Sequence, residues 1–135
     1  MLDVRRATGD PVAEHNGTVS THFFIEKEEL RDATMGSYLE FADVFTVAAG
    51  TALEPHFHNS HEFYYILEGS AIMQVESDRR TVGPGDLVHI PPNAPHSIAA
   101  TDDGPVRSFA FASSFQAPGE TYTVTTLPDV ELNLA

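Results

Sequence analysis

The chain has 135 residues, 41% of them hydrophobic, and a formal net charge of −13 from 20 acidic and 7 basic residues. This length fits one domain with a substantial core, and the scarcity of Lys and Arg argues against nucleic acid as a partner, because phosphate binding needs clustered cations. Cysteine is absent, which excludes disulfides and thiolate metal ligands. No signal peptide and no apolar run of roughly 20 residues is found, so we expect no membrane partner and a cytoplasmic location.

The N-terminal part of the chain is expected to lie outside the main domain. Residues 1–17 carry scattered charges, glycine and proline, and predict an arm or a loosely held edge strand beside a β-barrel domain of residues 18–135. Residues 18–25 are rich in β-branched and aromatic side chains, which favours a strand. Residues 26–33 form the only window with helix-forming composition, enough for one or two turns.

The remainder of the chain predicts an all-β fold. Residues 36–48 alternate in part between apolar and polar, which predicts a half-buried strand with Leu39, Phe41, Phe45 and Val47 on one face. Turn residues recur at close intervals after this strand, and short strands are expected at residues 53–58, 63–67, 71–76, 79–82, 87–90, 97–100, 106–112 and 122–126. About ten short strands favour a closed barrel or a double-sheet jelly roll.

Four side chains form a candidate metal site. His56 and His58 are two residues apart in a predicted strand, so they project from one face with Cα atoms about 6.5 Å apart, and both imidazoles can reach one ion. Glu62 offers a carboxylate nearby, and His96 follows the proline-rich loop at residues 91–95. Three imidazoles and one carboxylate suit one divalent transition metal ion (Fe, Mn, Ni, Co, Zn or Cu) and argue against a Ca²⁺ or Mg²⁺ site.

The other histidines are weaker candidates. His61 points away from His58 and Glu62 if these residues run as one strand, so we expect a surface or rim position. A turn at Asn59 and Ser60 would invalidate this parity argument. His89 is predicted to be a packed histidine of its strand, with a pocket role as the alternative. His15 and His22 carry no inference.

Tyr64 shares the strand parity of Glu62 and should face the barrel interior, whereas Tyr65 should point outward. A phenol beside a divalent cation can act as a base. The alternative for Tyr64 is a tyrosine that fills the barrel and hydrogen-bonds a neighbour. Tyr122 reaches the pocket only if the C-terminal segment folds over it.

The phenylalanines and Arg107 are further candidates for the core or the pocket. We expect Phe24, Phe41, Phe45, Phe57, Phe63, Phe109, Phe111 and Phe115 to be mostly core, with some lining a pocket. Arg107 shares the parity of Phe109 and Phe111 and is interpreted as a surface residue, with an inward cation for a substrate carboxylate as the alternative.

Two sequence motifs resemble those of the cupin superfamily. The first is a glycine, five residues, His-x-His, three residues, Glu, six residues and a glycine, and the second is a glycine followed by a spaced proline and histidine. They are matched by Gly50, His56, His58, Glu62 and Gly69, and by Gly85, Pro91 and His96. Asn93 replaces a motif glycine and Ala100 a motif asparagine; Asn is the non-Gly residue that best tolerates positive φ.

The resemblance implies a small β-barrel or jelly roll that holds a metal ion inside through His56, His58, Glu62 and His96. It also implies a small-molecule substrate and a homodimer. Cupins include dioxygenases, decarboxylases, isomerases, lyases and non-enzymatic binders, so the fold alone does not name a reaction.

The chain is also similar to short cupins that cleave dimethylsulfoniopropionate to acrylate and dimethyl sulfide. They share its length, its ligand spacing, a tyrosine two residues after the ligand glutamate and another near the C-terminus, which correspond to Tyr64 and Tyr122. This similarity implies a metal-dependent lyase that acts on a small carboxylate, with a tyrosinate as the base. The alternatives are an Fe(II)-dependent dioxygenase and a cupin that binds a small ligand without turnover.

Overall fold

The computed structural model describes residues 2–7, 9–30, 39–114 and 119–128. These residues form eleven β-strands and no α-helix. In chain order the strands are β1 (Val12–Glu14), β2 (Val19–Ile25), β3 (Leu39–Val47), β4 (His56–His58), β5 (His61–Glu68), β6 (Ala71–Val75), β7 (Asp78–Val82), β8 (Leu87–Ile90), β9 (His96–Ala100), β10 (Val106–Ser113) and β11 (Val124–Thr126).

The strands build two antiparallel sheets. One has the order β1-β2-β3-β10-β5-β8 and the other the order β11-β4-β9-β6-β7. Strand β10, the tenth strand in chain order, pairs with both β3 and β5 and so joins them. The core contains buried side chains of both sheets, including Phe45, Val47, Ile66, Ile90, Ile98 and Val106. The predicted all-β jelly-roll architecture is therefore confirmed.

Strand periodicity determines which side chains enter the core. Along β10, Val106, Ser108, Ala110 and Ala112 are buried, while the residues between them are only partly buried. Strand β5 alternates in the same way from Glu62 to Ile66. Since successive strand residues point to opposite faces, the sequence pattern located these strands within a few residues, and it gave both ends of β8 correctly.

The prediction that β3 is half-buried is wrong. Six consecutive residues of this strand are buried, so both of its faces are covered. The outer face is covered because Phe24 of β2 and Phe109 of β10, on the strands flanking β3, approach with ring centroids 6.3 Å apart.

The short helix predicted at residues 26–33 is also not found where the structure describes this segment. Residues 27–30 form a turn, and residues 31–33 lie outside the described residues. Glu28 has a φ of +64°, which interrupts a right-handed helix.

The phenylalanines are less buried than predicted. Phe41 and Phe45 are in the core, whereas Phe24, Phe57, Phe63, Phe109 and Phe111 are only partly buried, and Phe115 lies outside the described residues. The parity of β10 puts Phe109 and Phe111 on the outer face. There Phe111 stacks on Phe63 of β5 with ring centroids 4.8 Å apart.

Residues 12–14 form the edge strand β1, which pairs with β2 through Val12↔Thr21 and Glu14↔Val19. Arg5, further toward the N-terminus, makes ion pairs with Asp3 and Glu29. Within the described residues, none of the secondary structure is a helix of the length and hydropathy needed to cross a membrane.

Candidate metal centre

Four buried side chains meet between the two sheets. His56 and His58 come from β4, Glu62 from the start of β5 and His96 from β9. Each offers a donor atom, and these atoms all lie within 4.8 Å of one another. The residues are 1%, 3%, 5% and 0% exposed, in that order. His56 and His96 are direct cross-strand partners, which explains why residues 40 positions apart converge.

Parity is kept through the bend that separates β4 from β5. His58, Ser60, Glu62 and Tyr64 are all buried, whereas His61 is exposed. The bend at residues 59–60 therefore leaves the alternation of side chains unchanged, and His61 has the surface position that its parity predicts.

The proline loop before β9 is tied directly to β4. Asn93 has a φ of +63°, and its backbone N–H donates to the His58 carbonyl oxygen at 2.7 Å. Asn93 thus adopts the left-handed conformation usually given to glycine, as its tolerance of positive φ predicts.

At Gly69, with a φ of +86°, a Cβ atom would collide with the Pro105 carbonyl oxygen, so glycine is required there.

Hydrogen bonds orient two of the imidazole rings. The Nδ1 atom of His56 lies 2.8 Å from the Glu54 carbonyl oxygen, and that of His96 lies 2.9 Å from the Ala94 carbonyl oxygen. A carbonyl oxygen only accepts, so Nδ1 carries the proton in both rings and Nε2 presents a lone pair to the centre. Such partners fix the tautomer of metal-ligating histidines.

Three of the atoms that face the centre have no hydrogen-bond partner among the described residues. Nε2 of His58 and of His96 and Oε2 of Glu62 are buried and make no hydrogen bond of good geometry within the described residues. They lie against one another instead: His58 Nε2 contacts Glu62 Oε2, and His96 Nε2 lies 3.4 Å from the same oxygen. Buried polar atoms are normally satisfied, so this arrangement fits a cation at the centre.

The charge states also suit a cation. Burial lowers the pKa of His56 to about 2, and the neighbouring His96 and His15 rings contribute, so the ring is a neutral ligand at physiological pH. Burial by itself would raise the pKa of the Glu62 carboxyl, but the His58 and His96 rings lower it well below its ordinary value. Neutral imidazoles and an ionised carboxylate are the forms that bind a metal.

The model of the cupin domain family matches residues 43–111. This chain belongs to the cupin family. The four candidate metal-ligand residues and the strands that carry them, from β4 through β9, all lie inside the matched part of this cupin.

Two curated relatives match about half of the cupin. The uncharacterized protein MJ1618 of Methanocaldococcus jannaschii is 36% identical over 64 residues, 47% of this chain and 50% of that protein. The dimethylsulfoniopropionate lyase DddW of Ruegeria pomeroyi is 38% identical over 69 residues, 50% of this chain and 45% of that protein. The chain therefore spans about half the length of either relative.

Solved structures share the fold at lower identity. A predicted oxalate decarboxylase of Thermotoga maritima is 19% identical with a TM-score of 0.69, over 82% of this chain and 98% of that one. The polyketide cyclase RemF of Streptomyces resistomycificus is 20% identical with a TM-score of 0.68, over 99% and 89%. These likenesses establish the cupin jelly roll.

A small cavity adjoins the four candidate metal-ligand residues. His58, Glu62, Tyr64 and Tyr122 are among its lining residues, and the free space is about 30 Å³, roughly that of one water molecule. Tyr64 is 2% exposed, and the Tyr122 ring lies 5.8 Å from the His58 ring. The structure thus brings both tyrosines to this cavity, while Tyr65 points outward and is 44% exposed.

Asn59 holds the segment that carries Tyr122. Its side-chain amide donates to the Thr121 carbonyl oxygen at 3.0 Å, and its side-chain oxygen accepts from the Thr123 N–H at 2.9 Å. Strand β11 continues the attachment by pairing Val124 with His58. This clamp between the residue after His58 and both neighbours of Tyr122 is not visible in the sequence, because it joins segments about 60 residues apart.

Without a bound cation, both phenols of the cavity are poor acids. Burial raises the pKa of Tyr64 well above its ordinary value, and the negative charges of Glu62 and Asp43 add to this. Burial, followed by Glu62 and Glu14, raises the pKa of Tyr122. A divalent ion at the four ligands would act in the opposite direction on both groups.

Several other candidates lie away from the cavity. His89, predicted to be packed, is exposed on β8, where its ring stacks against Phe63 because its parity is the outward one. Arg107 lies toward the outside of β10, 3.8 Å from the Glu68 carboxylate, so the surface interpretation holds. Neither residue lines the cavity beside the metal-ligand residues.

Among the residues of this cavity that the sequence did not assign to a site are His15, Lys27 and Asp43. His15 stacks on His56 with ring centroids 4.0 Å apart. Asn16 and Gly17 signal the β1–β2 turn that carries His15, but this signal does not show which ring His15 meets. Lys27 pairs with Glu14 at 2.7 Å. Asp43 had a usable signal, since it shares the parity of Phe41 and Phe45 in a mostly apolar strand.

Proposed function

We propose that this cupin is a metal-dependent lyase that catalyses β-elimination from a small carboxylate, with dimethylsulfoniopropionate as the first candidate substrate. The observation that carries the proposal is the position of Tyr64, a buried phenol on the same inner face as Glu62 and in the same cavity. The partial similarity to the Ruegeria lyase supports it.

His56, His58, Glu62 and His96 would hold one divalent transition metal ion, with Fe, Mn, Ni, Co, Zn and Cu all compatible with three imidazoles and a carboxylate. When bound, the ion would supply Lewis-acid polarisation of the substrate carboxylate. The carbonyl hydrogen bonds of His56 and His96 keep their rings oriented for this ligation.

Tyr64 is the proposed general base. Its phenolate oxygen takes the proton from the carbon next to the carboxylate, the C–H electron pair forms the double bond, and the carbon–sulfur bond breaks with its electrons going to sulfur. The products are acrylate, dimethyl sulfide and the proton now on Tyr64. Base and substrate must be within hydrogen-bond reach, which the shared cavity of Tyr64 and Glu62 allows.

Tyr122 is proposed to orient the substrate and to cover it. The free space of about 30 Å³ is too small for a molecule of several heavy atoms, so side chains must move on binding. Tyr122 is better placed to do so than Tyr64, because Tyr122 is only partly buried whereas Tyr64 is 2% exposed.

The test is an assay of metal-loaded protein with dimethylsulfoniopropionate, with dimethyl sulfide and acrylate measured in the presence and absence of O₂. A lyase forms both products in equal amounts and needs no oxygen. An Fe(II)-dependent dioxygenase, the second enzymatic candidate, would consume O₂ and require iron. Absence of both products with every metal tried would contradict the lyase.

A cupin that binds a small ligand without turnover is the non-catalytic alternative. It predicts stabilisation of the fold by the ligand with no product formed over hours. The cytoplasmic location and the homodimer are further proposals, to be checked by fractionation of cells and by light scattering of the purified protein.

A further inference from the structure

Asp43 is a buried carboxylate that the metal centre does not use. It is 6% exposed and lines the cavity beside Glu62 and Tyr64. Within the described residues its Oδ1 atom accepts no hydrogen bond. A buried carboxylate oxygen without a partner is costly unless a donor or a cation compensates it, so the Oδ1 atom of Asp43 favours a partner that the described residues do not supply.

Sheet register fixes where Asp43 lies relative to the proposed base. Ala110 of β10 is the direct partner of Asp43 on β3 and of Tyr64 on β5. In the adjacent row, Ala112 is the partner of Phe41 and of Glu62. Side chains directly opposite one another share a face, so Asp43 and Tyr64 face the same interior with Cα atoms about 10 Å apart, two strand spacings.

One cavity contains both groups. His58 and Glu62 line it together with Asp43. Once its side chains move to admit a short molecule, that molecule can reach the candidate metal ligands with one end and Asp43 with the other.

The surroundings of Asp43 favour a cation. Phe41 and Phe45 precede and follow it on the same face of β3, and both line the cavity with Tyr122. Phe41 and Tyr122 approach edge to face with centroids 5.8 Å apart. A carboxylate among aromatic rings is the typical environment for quaternary ammonium and related onium groups, which are attracted to ring faces and form no hydrogen bonds of their own.

The charge balance of the cavity also favours a cation beside Asp43. Its lining contains the carboxylates of Glu14, Asp43 and Glu62 and one ammonium group, that of Lys27, which is already paired with Glu14 at 2.7 Å. A divalent ion with Glu62 leaves one positive charge, which the carboxylate of a substrate neutralises. Asp43 is then the carboxylate that this count leaves without a balancing cation. Burial, followed by the charges of Glu62 and Glu14, raises its pKa well above the ordinary value, and a bound cation would favour its ionised form.

We propose that Asp43, Phe41, Phe45 and Tyr122 form an onium subsite, which recognises the methylated onium end of a substrate whose carboxylate lies at the candidate metal ligands. The onium subsite rests on the proposed function for the carboxylate end of the ligand. It adds the recognition of the leaving group, which the metal-ligand residues do not provide.

The experiment compares two probes of the same shape by titration calorimetry on the metal-loaded protein. One is trimethylammoniopropionate, and the other is its uncharged carbon isostere, in which a tert-butyl group replaces the trimethylammonium group. Wild-type protein should bind the onium probe at least about tenfold more tightly, since cation–π attraction and one buried carboxylate both favour it. Asp43→Asn should reduce this preference to about twofold or less and leave affinity for the isostere nearly unchanged.

Control variants separate the effect of the Asp43 charge on binding from an effect on folding. Asp43→Glu keeps the carboxylate and should keep much of the preference, and Asp43→Ser is a second charge-free variant in case the asparagine protein does not fold. Glu40→Gln removes another buried carboxylate of β3, one that does not line the cavity, and should leave the preference intact.

Equal affinity of the wild-type protein for the two probes, binding of neither probe, or an undiminished preference in the Asp43 variants would each overturn the onium subsite. Its failure is distinguishable from that of the lyase. An onium preference that depends on Asp43, without any elimination, keeps the subsite and rejects the reaction, whereas elimination with a preference that ignores Asp43 does the reverse.

Discussion

The protein has two groups of neighbouring histidines, one inside the barrel and one outside it. Inside, His56, His58 and His96 are buried around Glu62. Outside, His61 Nδ1 and His89 Nε2 lie 2.9 Å apart on stacked rings at the exposed face of β5 and β8. Both groups bring ring nitrogens together, so proximity of imidazoles does not by itself distinguish a metal centre.

The difference lies in what surrounds the rings. The inner group includes a buried carboxylate, and backbone carbonyls fix the tautomers of two of its imidazoles. The outer pair is exposed, and neither ring belongs to a group of three or more metal-binding side chains within the described residues. A preorganised donor set in a dry site binds a cation far better than two solvated rings.

The largest expected effect is on metal content. His96→Ala should reduce the metal of purified protein from about one ion per chain to a trace, because it removes a ligand that no neighbour replaces. The matched change outside, His89→Ala, should leave metal content unchanged. Elemental analysis of both proteins decides this, and a metal-free wild-type protein with full activity would contradict the assignment.

A second comparison uses the adjacent tyrosines of β5. Tyr64→Phe should lower the rate of elimination by about a hundredfold or more, the usual contribution of a general base, while Tyr65→Phe, on the outer face, should change it by less than about twofold. Product formation is measured at saturating substrate, and metal content is checked in both variants. Undiminished turnover in Tyr64→Phe would reject the tyrosine base.

Inner and outer phenylalanines should differ in stability. Phe45→Ala is expected to lower the free energy of unfolding by about 3–5 kcal/mol, since Phe45 is 5% exposed and meets the Tyr64 ring with centroids 4.8 Å apart. Phe109→Ala should cost about half as much, because its ring is only partly buried. Urea unfolding of the two variants provides the measurement, and equal losses would show that the outer aromatic rings pack as tightly as the core.

The smallest expected effect is a pH dependence. The pKa of folded His56 is lowered from its ordinary value of 6.5 to about 2, so between these limits the unfolded chain binds a proton that the folded protein does not. The metal-free protein should therefore lose stability as pH falls below 6.5, by at most about 1.4 kcal/mol per unit from this residue. Unfolding with a chelator between pH 7 and 5 should show a shallower slope in His56→Ala, and identical slopes would reject the lowered pKa.

Most of the fold could be predicted from the local periodicity of the sequence. The alternation of β5 and β10 identified their buried faces, and the spacing of His56, His58, Glu62 and His96 singled out the residues that the structure brings together. The short turns between strands made an all-β fold the economical solution. These features depend on residues close in sequence, which is why they were predictable.

Features that depend on distant segments were not predictable in the same way. The burial of both faces of β3 requires Phe24 and Phe109, from strands far apart in sequence, to meet over it. The approach of His15 to His56 and the attachment of Tyr122 to Asn59 are likewise tertiary contacts. Asp43 is the exception, because its strand parity already places it on the same face as Phe41 and Phe45.

The position of β10 between β3 and β5 has a consequence for the order in which this protein can assemble. A chain ending at residue 105 contains all four metal-ligand residues but lacks the strand that joins Asp43 to Tyr64 across Ala110. During synthesis the candidate ligands therefore emerge from the ribosome before β10 can join β3 to β5. We expect nascent chains of about that length to bind metal weakly, and the site to form only when β10 inserts, a late and non-local step.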